Sequence, residues 1–319
     1  MNIQPVLSSI AYELGDAHPI QELIGEDKQA MKKLLDSGEF EFYLKTSERT
    51  AYDLANKAIE QTLANCEISG RDVDTVIFAT DSFKSVRDTM TFFSELCRQH
   101  GLEQAYPILV SMSECANFHV ALETAVNGIK TGSAQNVLLV TVDKAELASP
   151  DTRLVGGGIG VMSDAAASCL ISTQVDDGFA IEGIAKEISP ELLQGEISDV
   201  EELMLRVEKN NQIFSTLFQK QRKKNAGFSA EDIKVVIASN ISSGVLSVFM
   251  SEANLKYSQI MTKNNRKIGH CLASDCLINL QDYVASSTAN NNDLFLLYGA
   301  GPITWGGALL RATTYMDTV

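Results

Sequence analysis

Residues 69–80 read SGRDVDTVIFAT and residues 229–240 read SAEDIKVVIASN. Laid over one another, they align Asp72 with Asp232, Val73 with Ile233, Val76 with Val236 and Ile77 with Ile237, at an offset of 160 in a chain of 319 residues. Each copy opens with a serine in a turn, adds an acid, and runs into β-branched residues of the kind that fill a buried strand. Each also follows a helical pattern. In TAYDLANKAIEQTLANC (50–66), Leu54, Ala58 and Leu63 recur at roughly helical spacing, and in NQIFSTLFQKQRKK (211–224) Ile213, Leu217 and Phe218 do the same. NVLLVTV (136–142) and DLFLLYGAG (293–301) supply further strands. The alternation predicts an α/β fold of two similar halves related by pseudo-symmetry, 1–175 and 176–319. Residues 186–210, rich in Glu and lacking a strand signal, are expected to be an insertion with a solvated charged face.

The composition bounds the function. A chain with 45% hydrophobic and 21% charged residues can bury a large core as one domain or two closely packed ones. Its 41 acidic residues against 26 basic ones give a net charge of −15, which argues against nucleic acid or an anionic membrane as main partner. No run of 18 apolar residues and no basic, apolar leader occurs, so a cytoplasmic location is expected. Cysteines stand at 66, 97, 115, 169, 271 and 276 without CxxC spacing, so neither a zinc site nor disulfides are expected, and most should be small buried hydrophobes.

One cysteine has a distinctive setting. In PILVSMSECANFHVALETAVNGIKTGS (107–133) a strand-like run ends near Ser113; from Ala116, Phe118, Leu122, Ala125, Val126 and Ile129 trace a helix that Gly132 caps. Cys115 therefore sits at a strand-to-helix turn, where helix-end amides favour a thiolate and can hold an oxyanion. Simple packing is the alternative for an isolated cysteine of this kind.

The segment ECANFHVALETAVNGIKTG (114–132) resembles the nucleophile segment acCsGFxxAlexAxxxIxsG of the ketoacyl-carrier-protein synthase III family, in the thiolase superfamily. SDAAASCLIS (163–172) resembles the family's GDGAGAxVLs, with Asp164 in place, AGFSAEDIKVVI (226–237) its agltpdDIDxxI, and YGAGPITWGGALLR (298–311) its closing FGaGxTWGxaLlR. The resemblance implies a thiolase-like, doubled, five-layered α-β-α-β-α fold. It also implies an acyl-Cys115 thioester loaded from coenzyme A or an acyl-carrier protein, with backbone oxyanion donors at Cys115, Ala300 and Gly301. No metal or further cofactor is implied.

Two departures change the expected chemistry. Where the family has a histidine in pHQAN, this chain reads ASNISSG (238–244), placing Ser239 at the histidine position. Where the family has asparagine in GNtsaas, it reads GHCLASD (269–275), placing His270 there. Two neutral donors that stabilise an enolate are thereby replaced, which counts against decarboxylative carbon–carbon bond formation. A histidine followed five residues later by an acid suits general-base chemistry instead, with Asp275 orienting His270. This GHxxxxD pattern resembles a branch of synthase III-like acyltransferases in which Cys or Ser, His and Asp form a triad. A helix-capping role for Asp275 remains the alternative. The expected function is acyl transfer through Cys115 to a hydroxyl, amine or thiol; a condensing enzyme and a non-catalytic partner subunit are the other readings.

His18 and His100 read as solvated, and His119, one helical turn beyond Cys115, as a core side chain or a neighbour of the thiol. For donor or carrier binding the candidates are Arg153, Ser239 and the basic clusters QKQRKKN (219–225), with Arg222 and Lys223, and KNNRK (263–267); solvated surface is the alternative for both clusters. The carrier-docking arginine of the family is missing near Gly244. The resemblance further implies a homodimer, or a heterodimer with a homologue, in which Met90 approaches the neighbour's acyl pocket.

Overall fold

A computed structural model describes residues 4–23, 25–193, 199–222, 229–251, 253–287 and 289–313. Ten strands form the principal sheet: β1 (Val6–Leu14), β2 (Thr75–Ala79), β3 (Tyr106–Val110), β4 (Asn136–Asp143), β5 (Ala165–Ser172), β6 (Phe179–Ile188), β7 (Ile233–Ala238), β8 (Ile260–Met261), β9 (Leu294–Ala300) and β10 (Thr304–Ala312). Their spatial order is β3-β2-β4-β5-β1-β6-β10-β9-β7-β8. Read outward from the β1–β6 junction, the order of the first five strands repeats in the second five. The pairings repeat as well: β2 is parallel to β3 and β4, as β7 is to β8 and β9, and the remaining pairs are antiparallel. The stretches 69–80 and 229–240 carry the equivalent strands β2 and β7, so the duplication in the sequence is a duplication of structure.

The helices follow the same repeat. Between β1 and β2 lies α1 (Ala51–Ala64), between β2 and β3 α2 (Val86–His100), and between β3 and β4 α3 (Asn117–Thr131). Their counterparts are α4 (Asp199–Arg222), α5 (Ser243–Ser251) and α6 (Asp275–Ser286). Alternation of side chains along each strand assigns the layers. In β2, Val76 and Phe78 pack with Leu54 and Ile59 of α1 and Phe92 and Leu96 of α2. In β7, Val236 and Ala238 pack with Ile213 and Leu217 of α4 and Leu246 and Phe249 of α5. The opposite faces, Ile77 and Ala79 with Val235 and Ile237, share one core with Phe118, Leu122 and Ile129 of α3 and Leu277, Ile278 and Leu280 of α6. Five layers result, α-β-α-β-α, with α3 and α6 in the middle. Full burial of a side chain such as Leu122 contributes about 2 kcal/mol.

The central helices begin at the same kind of turn. A short 3₁₀ segment, Glu114–Ala116 or Leu272–Ser274, leads into each, and both segments start on a residue in the left-handed region, Glu114 at φ 45° and Leu272 at φ 48°. The turns bring Cys115 and the start of α6 together at one end of the middle layer. Gly132, left-handed at φ 76°, caps α3 as the sequence predicts.

Residues 186–210 differ from the expectation of an insertion. β6 continues to Ile188, and from Asp199 the chain is part of the 24-residue helix α4. Its Glu-rich composition hid it because only the C-terminal half of that helix, around Ile213 and Leu217, is buried on the sheet. No helix among the described residues is long and apolar enough to cross a membrane.

Candidate active site

Cys115, His270 and Asp275 meet in the middle layer. The Cys115 Sγ lies 3.0 Å from His270 Nε2, and His270 Nδ1 lies 2.5 Å from Asp275 Oδ2. All three are buried, Asp275 completely. The His270 backbone is clamped by two hydrogen bonds across to the strand-like segment 161–163: its N–H donates to Val161 O at 2.8 Å, and its carbonyl accepts from Ser163 N–H at 2.8 Å. Gly269 makes that approach possible. Its φ is 69°, and a Cβ there would stand 2.8 Å from Val161 O.

Asp275 is the first residue of α6, but the residue before it, Ser274, holds the N-cap position and the Asp275 carboxylate takes no N–H of its own helix among the described residues, so its contacts are those of an orienting group rather than a cap. Oδ1 accepts from Cys271 N–H at 2.7 Å and Oδ2 from Asn240 N–H at 2.7 Å, while the Asn240 Nδ2 donates to Oδ1 at 3.2 Å and to Gly269 O at 2.7 Å. Asn240 was not singled out by the sequence, which drew attention to its neighbour Ser239. The signal for it was its position directly after strand β7. It ties the β7 end, the loop carrying His270 and the orienting carboxylate into one network, which Asn279 extends by donating to Asn240 Oδ1 at 2.8 Å.

The thiol and the imidazole shift as a pair. Burial pushes the Cys115 thiol up, with His270 pulling in the opposite direction. For His270, burial opposes the cation, but Cys115 and Asp275 outweigh it and raise the imidazole well above its usual value. Burial disfavours a lone charge on either group, and each is the other's stabilising counter-charge at 3.0 Å, so the thiol proton is placed to pass to the imidazole as the sulfur attacks. The Cys115 N–H has no acceptor among the described residues.

A cavity of about 900 Å³ opens onto Cys115 and His270. Its apolar wall includes Leu154, Ile159, Met162, Val245, Phe249 and Leu272; its polar side chains include Asp81, Glu114, Asp199, Glu202 and Arg206. The last three belong to α4, so the Glu-rich stretch expected to be a solvated face contributes part of the pocket wall.

The remaining predicted residues divide. Ala300 and Gly301 line the cavity, but the Gly301 N–H already donates to Thr304 O at 2.8 Å, which removes it from the expected oxyanion donors. Arg153 is not available for a coenzyme A phosphate. Its guanidinium pairs with the buried Asp164 at 3.1 Å, donates to the carbonyls of Leu44 and Met162 at 3.2 Å each, and lies over the Tyr43 ring. Ser239 is buried just after β7 and does not line the cavity, whereas its neighbour Asn240 bonds the loop that carries His270. Met90 is exposed on α2, outside this chain's own cavity. The side chains of Arg222 and Lys223 lie outside the described residues. In KNNRK, Arg266 pairs with Glu41 at 2.6 Å and Lys263 donates to Asp282 O, so this cluster is engaged within the chain.

His119 is a core residue. It is fully buried, burial pushes it down to about 3, and a Cβ at Gly306 would fall 2.4 Å from its Cγ. Cys271 and Cys276 are free buried thiols that burial holds well above their usual value. His18 stands beside Glu22 at 3.4 Å, and His100 meets Asn56 at 2.9 Å, both away from the cavity.

Residues 224–312 match the family model for the 3-oxoacyl-[acyl-carrier-protein] synthase III C-terminal region. The β-ketoacyl-[acyl-carrier-protein] synthase III of Listeria innocua is 22% identical over 316 residues, covering 91% of this chain and 98% of that one. The chain has a synthase III-like thiolase-superfamily fold. Two solved structures share that fold. The acyltransferase ChlB3 superposes with a TM-score of 0.83 at 18% identity, covering 99% of this chain and all of that one. The synthase III of Aquifex aeolicus VF5 superposes with a TM-score of 0.77 at 19% identity, covering 96% and 99%. The fold is thus shared by proteins named as synthase III and by one named as an acyltransferase. These likenesses establish the fold, and the chemistry carried on it rests on the site.

Proposed function

We propose that this chain is an acyltransferase that carries an acyl group from coenzyme A or an acyl-carrier protein through an acyl-Cys115 thioester to a heteroatom acceptor. The observation that carries the proposal is the linear set Cys115 Sγ to His270 Nε2 at 3.0 Å and His270 Nδ1 to Asp275 Oδ2 at 2.5 Å. With Asp275 holding the proton on Nδ1, the Nε2 lone pair faces the thiol.

In the first half-reaction His270 takes the Cys115 proton as sulfur attacks the donor carbonyl. The Cys115 N–H, with Ala300 beside it on the cavity lining, is the proposed donor to the developing oxyanion. Collapse expels the donor thiol, which leaves with the proton from His270. In the second, an acceptor X–H enters the emptied pocket, His270 takes its proton as X attacks the thioester, and the proton passes to the departing Cys115 sulfur. The apolar cavity wall suits the acyl chain.

Decarboxylative condensation is the second reading, favoured by the synthase III names of the sequence relatives. It needs two neutral donors at the enolate oxygen, whereas here Ser239 is off the cavity and Asn240 is committed to Asp275 and Gly269. Intact-mass measurement after incubation with acyl-CoA and acyl-carrier thioesters tests the proposal: acyl mass on the wild-type chain and none on Cys115→Ala supports it, and acyl mass retained by Cys115→Ala refutes it.

A further inference from the structure

Glu114 directly precedes the nucleophile and has no part in the scheme above. The left-handed φ at this position belongs to the turn, since Leu272 has the same conformation at the equivalent place before α6. What distinguishes the two turns is the side chain: both residues line the cavity, one apolar and one ionisable. The Glu114 carboxylate is half-buried and makes no hydrogen bond and no ion pair among the described residues. It lies against Gly301, which also lines the cavity, so that a Cβ on that glycine would stand 3.1 Å from Glu114 Oε2 and 3.3 Å from Glu114 Cβ. Burial foremost, and then Asp81, push it up to about 7, with His270 acting against them.

The surroundings carry the same sign. Asp81 is fixed by Ser111 Oγ at 2.6 Å, Met112 N–H at 2.8 Å and Asn117 Nδ2 at 3.0 Å. Arg206, the cation on the wall, is held by Glu202 at 2.8 Å. A second, unengaged base beside a Cys-His-Asp set is superfluous for an alcohol or thiol, which has one proton to lose. An amine arrives as an ammonium ion and has two.

We infer that the acceptor is a primary amine and that Glu114 is the catalytic residue that binds its ammonium form and removes the first proton. This deepens the acyltransferase reading and rests on it. R–NH₃⁺ gives a proton to the Glu114 carboxylate. The free amine attacks the acyl-Cys115 carbonyl and loses its second proton to His270. The C–S bond breaks, the amide C–N bond remains, and His270 returns its proton to the Cys115 sulfur. Glu114 then releases its proton to solvent, so the products are the amide, the thiol enzyme and one proton.

The test is discharge of the preloaded acyl-enzyme, formed with acetyl-, hexanoyl- or decanoyl-CoA, by hexylamine, hexanol or hexanethiol, followed by intact mass and product analysis. The expected result is discharge by hexylamine with a preference over hexanol greater than the same pair shows toward free acyl-CoA. In Glu114→Gln that preference should fall by roughly 10²-fold or more, while discharge by hexanol falls much less. A merely structural role would lower both together. Equal or faster discharge by hexanol or hexanethiol, no discharge by hexylamine, or a preference that survives in Glu114→Gln overturns the inference while leaving acyl-Cys115 in place. Failure of every donor to load Cys115 overturns the acyltransferase reading itself, and this inference with it.

Discussion

Asp275→Asn isolates what the buried carboxylate does. In the wild-type chain its two oxygens face only donors: His270 Nδ1 and the Asn240 N–H at Oδ2, and the Cys271 N–H and Asn240 Nδ2 at Oδ1. An asparagine offers one oxygen and one NH₂. If the oxygen takes the Oδ2 place, the NH₂ confronts the Cys271 N–H. If it takes the Oδ1 place, the NH₂ confronts the Asn240 N–H and donates to His270 Nδ1, moving the imidazole proton to Nε2 and removing the lone pair that faces Cys115. Either way a buried N–H loses its acceptor, at a cost of about 1–3 kcal/mol. The rate of acyl transfer should fall by about one to four powers of ten, the upper end applying when the tautomer switches. Urea denaturation and single-turnover transfer on the same preparation measure the two effects. A variant with wild-type stability and a transfer rate within threefold of wild type would refute the assigned network.

Arg153→Met should destabilise the chain by about 3–5 kcal/mol in urea denaturation, because it strands the fully buried Asp164 without its cation; a cost below about 1 kcal/mol would return Arg153 to the candidates for donor binding. The carboxyl of Glu114 sits at about 7 in the folded chain against an ordinary value of 4.5. The folded state therefore holds the proton more tightly, and the associated stability is complete below about 4.5 and lost as pH rises through about 7. Glu114→Gln should make the fall in stability across that window shallower, though not flat, since Asp143 also titrates at about 7; parallel profiles for the two proteins would contradict the assignment. At the sheet end the edge strand β3 exposes Tyr106 and Leu109, and the helix α2 that follows β2 exposes Met90, apolar surface that a homodimer or a pair with a homologue would cover. Sedimentation should show a dimer at micromolar concentration that Tyr106→Glu dissociates, and a stable wild-type monomer would contradict it.

The doubled sheet was legible because strand cores and turn acids repeat at half the chain length, and β2 and β7 are buried on both faces, which leaves a strong apolar signal. His270 and Asp275 were legible because the family resemblance placed the histidine and the five-residue spacing, which spans one 3₁₀ turn, added the acid. Asn240 was not, because its importance comes from bringing β7 against a loop 30 residues further on. The Glu-rich start of α4 misled for a related reason: it borders a cavity rather than the core, so it lacks the apolar stripe that betrays a packed helix. Arg153 was misplaced because sequence shows a charge but not the buried Asp164 that already neutralises it. Glu114 lay one residue from the nucleophile, yet only the turn conformation reveals that its side chain reaches the same cavity.

The central claim is transfer through Cys115 without loss of carbon dioxide. It is tested most directly by giving the chain a malonyl thioester labelled in the free carboxyl, together with an amine acceptor, and following label and product. The account predicts malonyl mass on Cys115, label retained in an amide product, and no loading of Cys115→Ala. Stoichiometric labelled carbon dioxide with a new ketone product would contradict it.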